Sequence, residues 1–283
     1  MRLQSRMNIA LTLFLAAALL ALCFLLPQSA HSADSIKVSG TGAALGAIRL
    51  IAAEFQKAKG ISVTIAPSMG SSGGIKAAAE GALDVALASR PLKDEERKLG
   101  LSEVLYATTP FVPIAHAALP VKDITRADIA RILDGSLSTW PNGERIRFVL
   151  RPASDIDSDI LRSLSPEIAR SVDAARSREG MLIALTDQAN ADMIESTQGA
   201  VGFSALSVVK SEKQRVKVLS LDSMPQNNPV EVAKAKGPRK ALYAVTRNDA
   251  STAARAFVQF LSSPSSRKIL ENTGNLPAEP ASR

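Results

Sequence analysis

Little in this 283-residue chain is chemically reactive: it holds one cysteine, two histidines, one tryptophan and two tyrosines. The cysteine, Cys23, sits in an N-terminal apolar run, so the rest of the chain has no thiol. That excludes disulfide staples, thiol catalysis and cysteine-based zinc sites there. His31 and His116 are too few for a histidine-rich metal site, and no metal or cofactor is expected. Aromatic residues make up only 4%, too few to stack bases, and basic residues alternate with acids, as in Lys93-Asp-Glu-Glu-Arg-Lys98. The formal charge of +7 therefore reads as a mixed solvated surface, with no nucleic-acid partner. What the chain does have is 46% hydrophobic residues with ordinary glycine and proline, the composition of a globular domain.

Arg2 and Arg6 precede an apolar run over residues 7–26, followed by Pro27 and small polar residues. This is the pattern of a secretory signal. Ala30, Ser32 and Ala33 permit cleavage after Ser32 or Ala33, so residues 1–33 are read as the signal and Asp34 as the mature start. Removing those 33 residues, with their two arginines, leaves about 250 residues of charge +5. The run is also long enough to remain as a membrane anchor, an alternative that leaves the rest outside the cytoplasm too. Leu22 stands where a lipoprotein signal needs a small residue, so acylation of Cys23 is not expected. A secreted domain of this size can rely on its own core.

Strands expected at residues 36–38, 61–65 and 83–88 alternate with helices at 43–59 and 75–80, the grammar of a parallel α/β sheet. The apolar stretch 105–118, broken by Pro110 and Pro113, is placed to carry the chain from one lobe to another. Thr125 and Asp128 frame the next helix, which Gly135 ends. A strand at 146–150 then delivers Arg151 to the head of a helix at 156–163. Further elements are expected at 181–185, 188–196, 200–203, 242–246 and 252–261, with a last helix ending at residue 271.

Gly/Ser/Thr loops recur between strand ends and helix starts, at residues 39–42, 71–74 and 154–157. Free amides, small residues and hydroxyls in such loops form anion sites, although each loop alone also reads as an ordinary turn or cap. Gly70-Ser-Ser-Gly-Gly74 satisfies G-x-S-x-G, which offers Ser72 as a hydrolase nucleophile. Its triad would need His116, which reads better as a core or hinge residue. Gly40-x-Gly42 resembles a dinucleotide loop but lacks the acid after the next strand. Asp155-Ile-Asp157-Ser-Asp159 imitates a calcium loop and fails at Ile160 and Pro166, where glycine and a bidentate acid are required.

Taken in order, Gly40-Thr-Gly42, Gly70-Ser-Ser-Gly-Gly-Ile-Lys76, Asp84-Val-Ala-Leu-Ala-Ser-Arg-Pro-Leu92, Ile132-Leu-Asp-Gly-Ser136 with Trp140, Thr197-Gln-Gly-Ala-Val-Gly-Phe203 and Phe257-Val-Gln-Phe-Leu-Ser-Ser-Pro264 resemble the periplasmic phosphate-binding proteins of ABC importers, of the type II binding-protein superfamily. The resemblance spans nearly the whole mature chain. It implies a two-lobed α/β protein, not an enzyme, with a ligand cleft and a hinge. Lobe 1 would be residues 34–110 and 240–283, and lobe 2 residues 111–239. It further implies a small anion, phosphate first, and an ABC permease as partners, and a monomer. Thr41, Gly42, Ser71, Ser72 and Gly73 would hold the anion from lobe 1, with Ser89 and Arg90 nearby. Arg151 stands where the family places its anion-pairing arginine, followed by Ser154 and Asp155.

Two departures qualify this. Ser89 stands where the family's aspartate accepts the phosphate proton, and Asp155-Ile-Asp157 replaces Ser-Gly-Thr. A carboxylate aimed at a phosphate dianion is repelled by roughly 1–4 kcal/mol. Either the two aspartates turn away to cap the helix, with Arg90 offsetting their charge, or the ligand is not an inorganic oxyanion. A sensor or accessory protein of the same fold stays open as an alternative, as does a serine hydrolase at Ser72.

Overall fold

The computed structural model describes residues 35–279, so the apolar run and the expected cleavage site lie outside the described residues. The first part of the chain builds β1 (Ser35–Gly40), α1 (Gly42–Lys59), β2 (Ser62–Ile65), α2 (Gly70–Ala79), β3 (Val85–Ala88) and a short α3 (Asp94–Arg97). The long strand β4 (Leu101–His116) leads into β5 (Asp123–Ile124), α4 (Arg126–Asp134), β6 (Arg147–Leu150), α5 (Ile156–Ser163), α6 (Pro166–Arg176) and β7 (Leu182–Ile183). α7 (Asp187–Ser196), β8 (Ala200–Ala205), α8 (Leu206–Ser211), β9 (Val216–Val218), β10 (Ser220–Leu221) and α9 (Pro229–Lys234) follow. β11 (Arg239–Arg247), α10 (Thr252–Phe260), α11 (Pro264–Asn272) and β12 (Leu276–Pro277) close the chain.

The strands run in the order β2-β1-β3-β11-β4-β8-β6-β7. β1 is parallel to β2 and β3, and β6 is parallel to β7 and β8, so each flank of the sheet is a βαβ unit. β4 joins the flanks. Its residues up to Pro110 pair with β11, and from Phe111 onward they pair with β8. The apolar stretch around Pro110 and Pro113 is therefore one continuous strand whose partner changes at Pro110.

Each flank has its own core. On α1, Ile48, Ile51 and Phe55 recur at helical spacing and are fully buried; Phe55 meets Phe257 edge-on at 5.2 Å. Gly60 ends the helix in the left-handed conformation, as its position implies. In the other flank Ile129 and Leu133 of α4 pack with Trp140, Phe148, Ile168 and Val172. Thr125 and Asp128 form the expected capping box.

Two differences from the sequence reading bear on the site. The Gly-Ser stretch after β2 is not a loop preceding a helix at residue 75: α2 already starts at Gly70 and contains Ser71, Ser72 and Gly73 in its first turn. The low helix propensity of Gly-Ser-Ser-Gly-Gly hid that turn, which is held by packing of Gly74 against the Gly40 backbone. α6, unexpected from the sequence, carries a standard signal: Ser165 caps it, Pro166 opens it, and Ile168, Val172 and Ala175 are buried.

Candidate functional site

The carboxyl ends of β1, β3 and β6 open on a cavity of about 300 Å3. From one flank it is lined by Thr41, Ser71, Ser72, Gly73 and Arg90, and from the other by Ser154 and Asp155. The structure thus brings together seven of the residues singled out in the sequence. Gly42, Ser89 and Arg151 do not line it; each supports the wall from behind.

Gly40, at φ +139°, brings β1 against β3 so closely that a side chain there would overlap the Leu87 carbonyl. This seats Thr41, whose amide donates to Leu87 O at 2.8 Å. The Thr41 and Ser89 hydroxyls are 2.7 Å apart, and the Ser89 amide donates to Ser71 Oγ at 2.9 Å. Because Ser71 Oγ only accepts in that bond, its proton stays available to the cavity. Arg90 forks onto both Glu96 oxygens at 2.7 Å and also donates to Ser72 Oγ at 3.1 Å. Its charge is matched by Glu96, so it does not offset the aspartates opposite.

Two of the helix starts at this cavity differ from the other helix starts described. Among the described helices of eight or more residues, α4, α5, α6, α7, α10 and α11 begin with a side chain that caps their first turn. α1 and α2 do not, and both start at the cavity. An uncapped first turn presents free amides and the positive end of the helix dipole.

The opposite wall is a buried charge cluster. Asp155 caps α5, accepting from the Asp157 amide at 2.9 Å with one oxygen and from Arg151 Nη2 at 2.7 Å with the other. Arg151 Nη1 donates to Ala184 O at 2.7 Å, and its Nε lies 3.5 Å from Asp157. Lys240 Nζ lies 2.5 Å from Asp157 and donates to Asp187 Oδ1 at 2.7 Å. The Asp187 carboxylate also sits against the first turn of α1, more than 140 residues away in sequence. A side chain at Gly42 would collide with Asp187 and Gln188, which is why that close approach needs glycine.

Arg151, expected to face the anion, therefore has its guanidinium taken up by Asp155, Asp157 and a carbonyl. Within the cluster two cations face three carboxylates. Burial lifts Asp157, and Asp187 and Asp155 add to this against the pull of Lys240 and Arg151, so its carboxyl is pushed up to about 6. Burial also opposes ionisation of Asp187, but Lys240 and Arg151 outweigh it and hold it below its ordinary value. Burial would lower Lys240, yet Asp157 and Asp187 keep it above the usual lysine range.

Lys93, Asp159, Asp187 and Lys240 also line the cavity and were not read as site residues. Asp187 looks in sequence like a helix-start acid and Lys240 like a strand-edge lysine; they lie 53 residues apart and only the fold joins them. The geometry does not favour the hydrolase reading. Ser72 lies in a helix, its described partner Arg90 is a donor rather than a base, and His116 ends β4 beside Val216, away from the cavity lining. Among the described residues no cluster of potential metal ligands occurs, and no helix is long and apolar enough to cross a membrane.

A mixed sheet with a polar cleft at its strand ends, lined from both flanks, has the architecture of a ligand-binding protein. The chain belongs to the PBP superfamily, whose domain model matches residues 27–265, more than four-fifths of its length. It is 24% identical over 219 residues to the phosphate-binding protein PstS of Borreliella burgdorferi, covering 74% of this chain and 77% of that one. Among solved structures, it resembles a protein named as a phosphate ABC transporter substrate-binding protein from Clostridium perfringens, solved with bound phosphate. That match has a TM-score of 0.74 and 23% identity, and covers 87% of this chain and 100% of that one. It also resembles the periplasmic molybdate-binding protein of Azotobacter vinelandii, with a TM-score of 0.61 and 16% identity over 86% and 100% of the two chains.

Proposed function

We propose that the protein is an extracytoplasmic solute-binding protein that takes up a small oxyanion, phosphate in first place, and hands it to an ABC permease without chemical change. Lobe 1 is residues 34–110 and 240–283, lobe 2 is residues 111–239, and β4 and β11 carry the hinge between them. The observation that carries this reading is the uncapped first turn of α2, opening into the cavity beside the Ser71, Ser72 and Thr41 hydroxyls. Arg90 and Lys93 stand at its edge, and Lys93 has no ion-pair partner among the described residues. Donors of this kind in a partly closed site suit a small anion.

The fold is shared with a molybdate binder, so the choice of anion rests on the wall. Asp155 and Asp187 are acids on the lining of a cavity that is otherwise rich in donors. A fully ionised anion is repelled by these carboxylates, whereas an anion that keeps a proton can donate it to one of them. Phosphate keeps one near neutral pH; sulfate and molybdate do not. The aspartate that Ser89 replaces in sequence thus has a counterpart across the cleft. Isothermal titration of the mature protein with phosphate, sulfate and molybdate tests this: phosphate is expected to bind at least tenfold more tightly than the other two. No heat with any of the three overturns the oxyanion reading, and fluorophosphonate labelling that is lost in Ser72→Ala overturns the absence of chemistry.

A further inference from the structure

A second recess, of about 310 Å3, lies at the opposite end of the second flank, and nothing in the cleft's function uses it. Arg147 and Phe148 begin β6 there and Met181 and Leu182 lead into β7, whereas the far end of β6 delivers Arg151 to the cleft. The strand between them separates the two sites by about 13 Å.

Its chemistry differs from that of the cleft, where every arginine is paired with an acid. Arg145, Arg147 and Arg178 line the recess, and none of the three is in an ion pair among the described residues. Two are oriented by backbone carbonyls, which position a guanidinium without neutralising it. Arg147 Nη1 donates to Gln198 O at 2.8 Å and Arg178 Nη2 to Ile132 O at 3.3 Å. The place of Arg178 beside the last turn of α4 accounts for one of them as a dipole partner. It leaves Arg145 and Arg147 unexplained. Glu179 is the one carboxylate on the lining, and Asp134 faces Arg178 from outside it. Between the arginines the floor is apolar, made by Ile132, Phe148 and Met181.

We infer that this recess is a second binding site, for a small organic dianion with an apolar body, separate from the cleft. Guanidinium forks match carboxylate or phosphate oxygens in two-point contacts, and the floor takes the apolar part. The site requires no movement of the flanks, so its occupancy is independent of the cleft.

The probe is phthalate, titrated calorimetrically into the mature protein with and without saturating inorganic phosphate, with emission from the lone Trp140 followed in parallel. Trp140 and Arg145 share one turn, in which the Trp140 amide donates to Glu144 O at 2.8 Å. One phthalate is expected to bind per chain whether or not phosphate is present. Affinity should fall at least tenfold in Arg145→Ala and in Arg178→Ala, with phosphate binding unchanged in both. Circular dichroism and melting confirm that the variants fold, and Arg145→Lys should retain an intermediate affinity. The inference is overturned by absence of phthalate binding, by its loss when phosphate is added, or by insensitivity to the arginine substitutions. Binding of a tetraglutamate peptide without phthalate binding also overturns it, because the recess would then serve an acidic protein segment.

Discussion

Asp157→Asn is expected to stabilise the protein at neutral pH, although it removes one partner of a buried ion pair. Asp157 is 2% exposed and is the third carboxylate beside two cations, Lys240 and Arg151. Burial, reinforced by Asp187 and Asp155, lifts it from an ordinary value of 3.8 to about 6. A carboxyl raised on folding takes up protons as the chain folds, so its contribution is fully favourable below pH 4 and is lost as pH rises to about 6. The difference between those two values corresponds to roughly 3 kcal/mol against the folded state once Asp157 is ionised. Asparagine keeps the shape without the charge and leaves Lys240 paired with Asp187 and Arg151 with Asp155. Urea unfolding of both proteins between pH 3.5 and 8 reads out this group and the neighbours coupled to it, since the titrations of more distant groups cancel in the comparison. The variant should match the wild type near pH 3.5, gain on it between about 4 and 6, and remain up to about 3 kcal/mol more stable above that. A variant less stable by about 3 kcal/mol above pH 6 would refute the reasoning, because the ion pair with Lys240 would then outweigh desolvation.

Other outcomes follow from the same contacts. Asp187→Asn should raise sulfate affinity at least tenfold, by removing a negative wall of the cleft, and so narrow the preference for phosphate; unchanged sulfate binding in titration calorimetry would contradict the role given to that carboxylate. Lys93→Ala should weaken phosphate binding a few-fold and flatten its salt dependence, measured from 20 to 300 mM salt, since its ammonium acts through solvent at the rim. Gly40→Ala should prevent folding, because its Cβ meets the Leu87 backbone, whereas Gly60→Ala, with open space around it, should cost about 1 kcal/mol by thermal melting. Phe55→Ala should cost about 3–5 kcal/mol in urea unfolding, because Phe257 and Phe260 cannot close over the space.

Local physical chemistry determined much of this protein. The amphipathic period of residues 42–59, the glycine that ends that helix, the Thr125–Asp128 box and the alternation of strands with helices all act over a few residues, and so they could be read in order. The Gly-Thr-Gly and Gly-Ser-Ser-Gly-Gly segments likewise marked two stretches that line the cavity. Tertiary structure decided the rest. It turned the Gly-Ser loop into the first turn of α2, because packing against Gly40 overrides a weak intrinsic preference. It also set the sign of the wall. Arg151 appears in sequence as a free cation, yet in the fold it is surrounded by Asp155 and Asp157, while Lys240 and Asp187 meet across 53 residues. Coulomb energy and desolvation depend on distance and burial, neither of which a net charge of +7 records, so which charges remain for a ligand is settled only when the chain is folded.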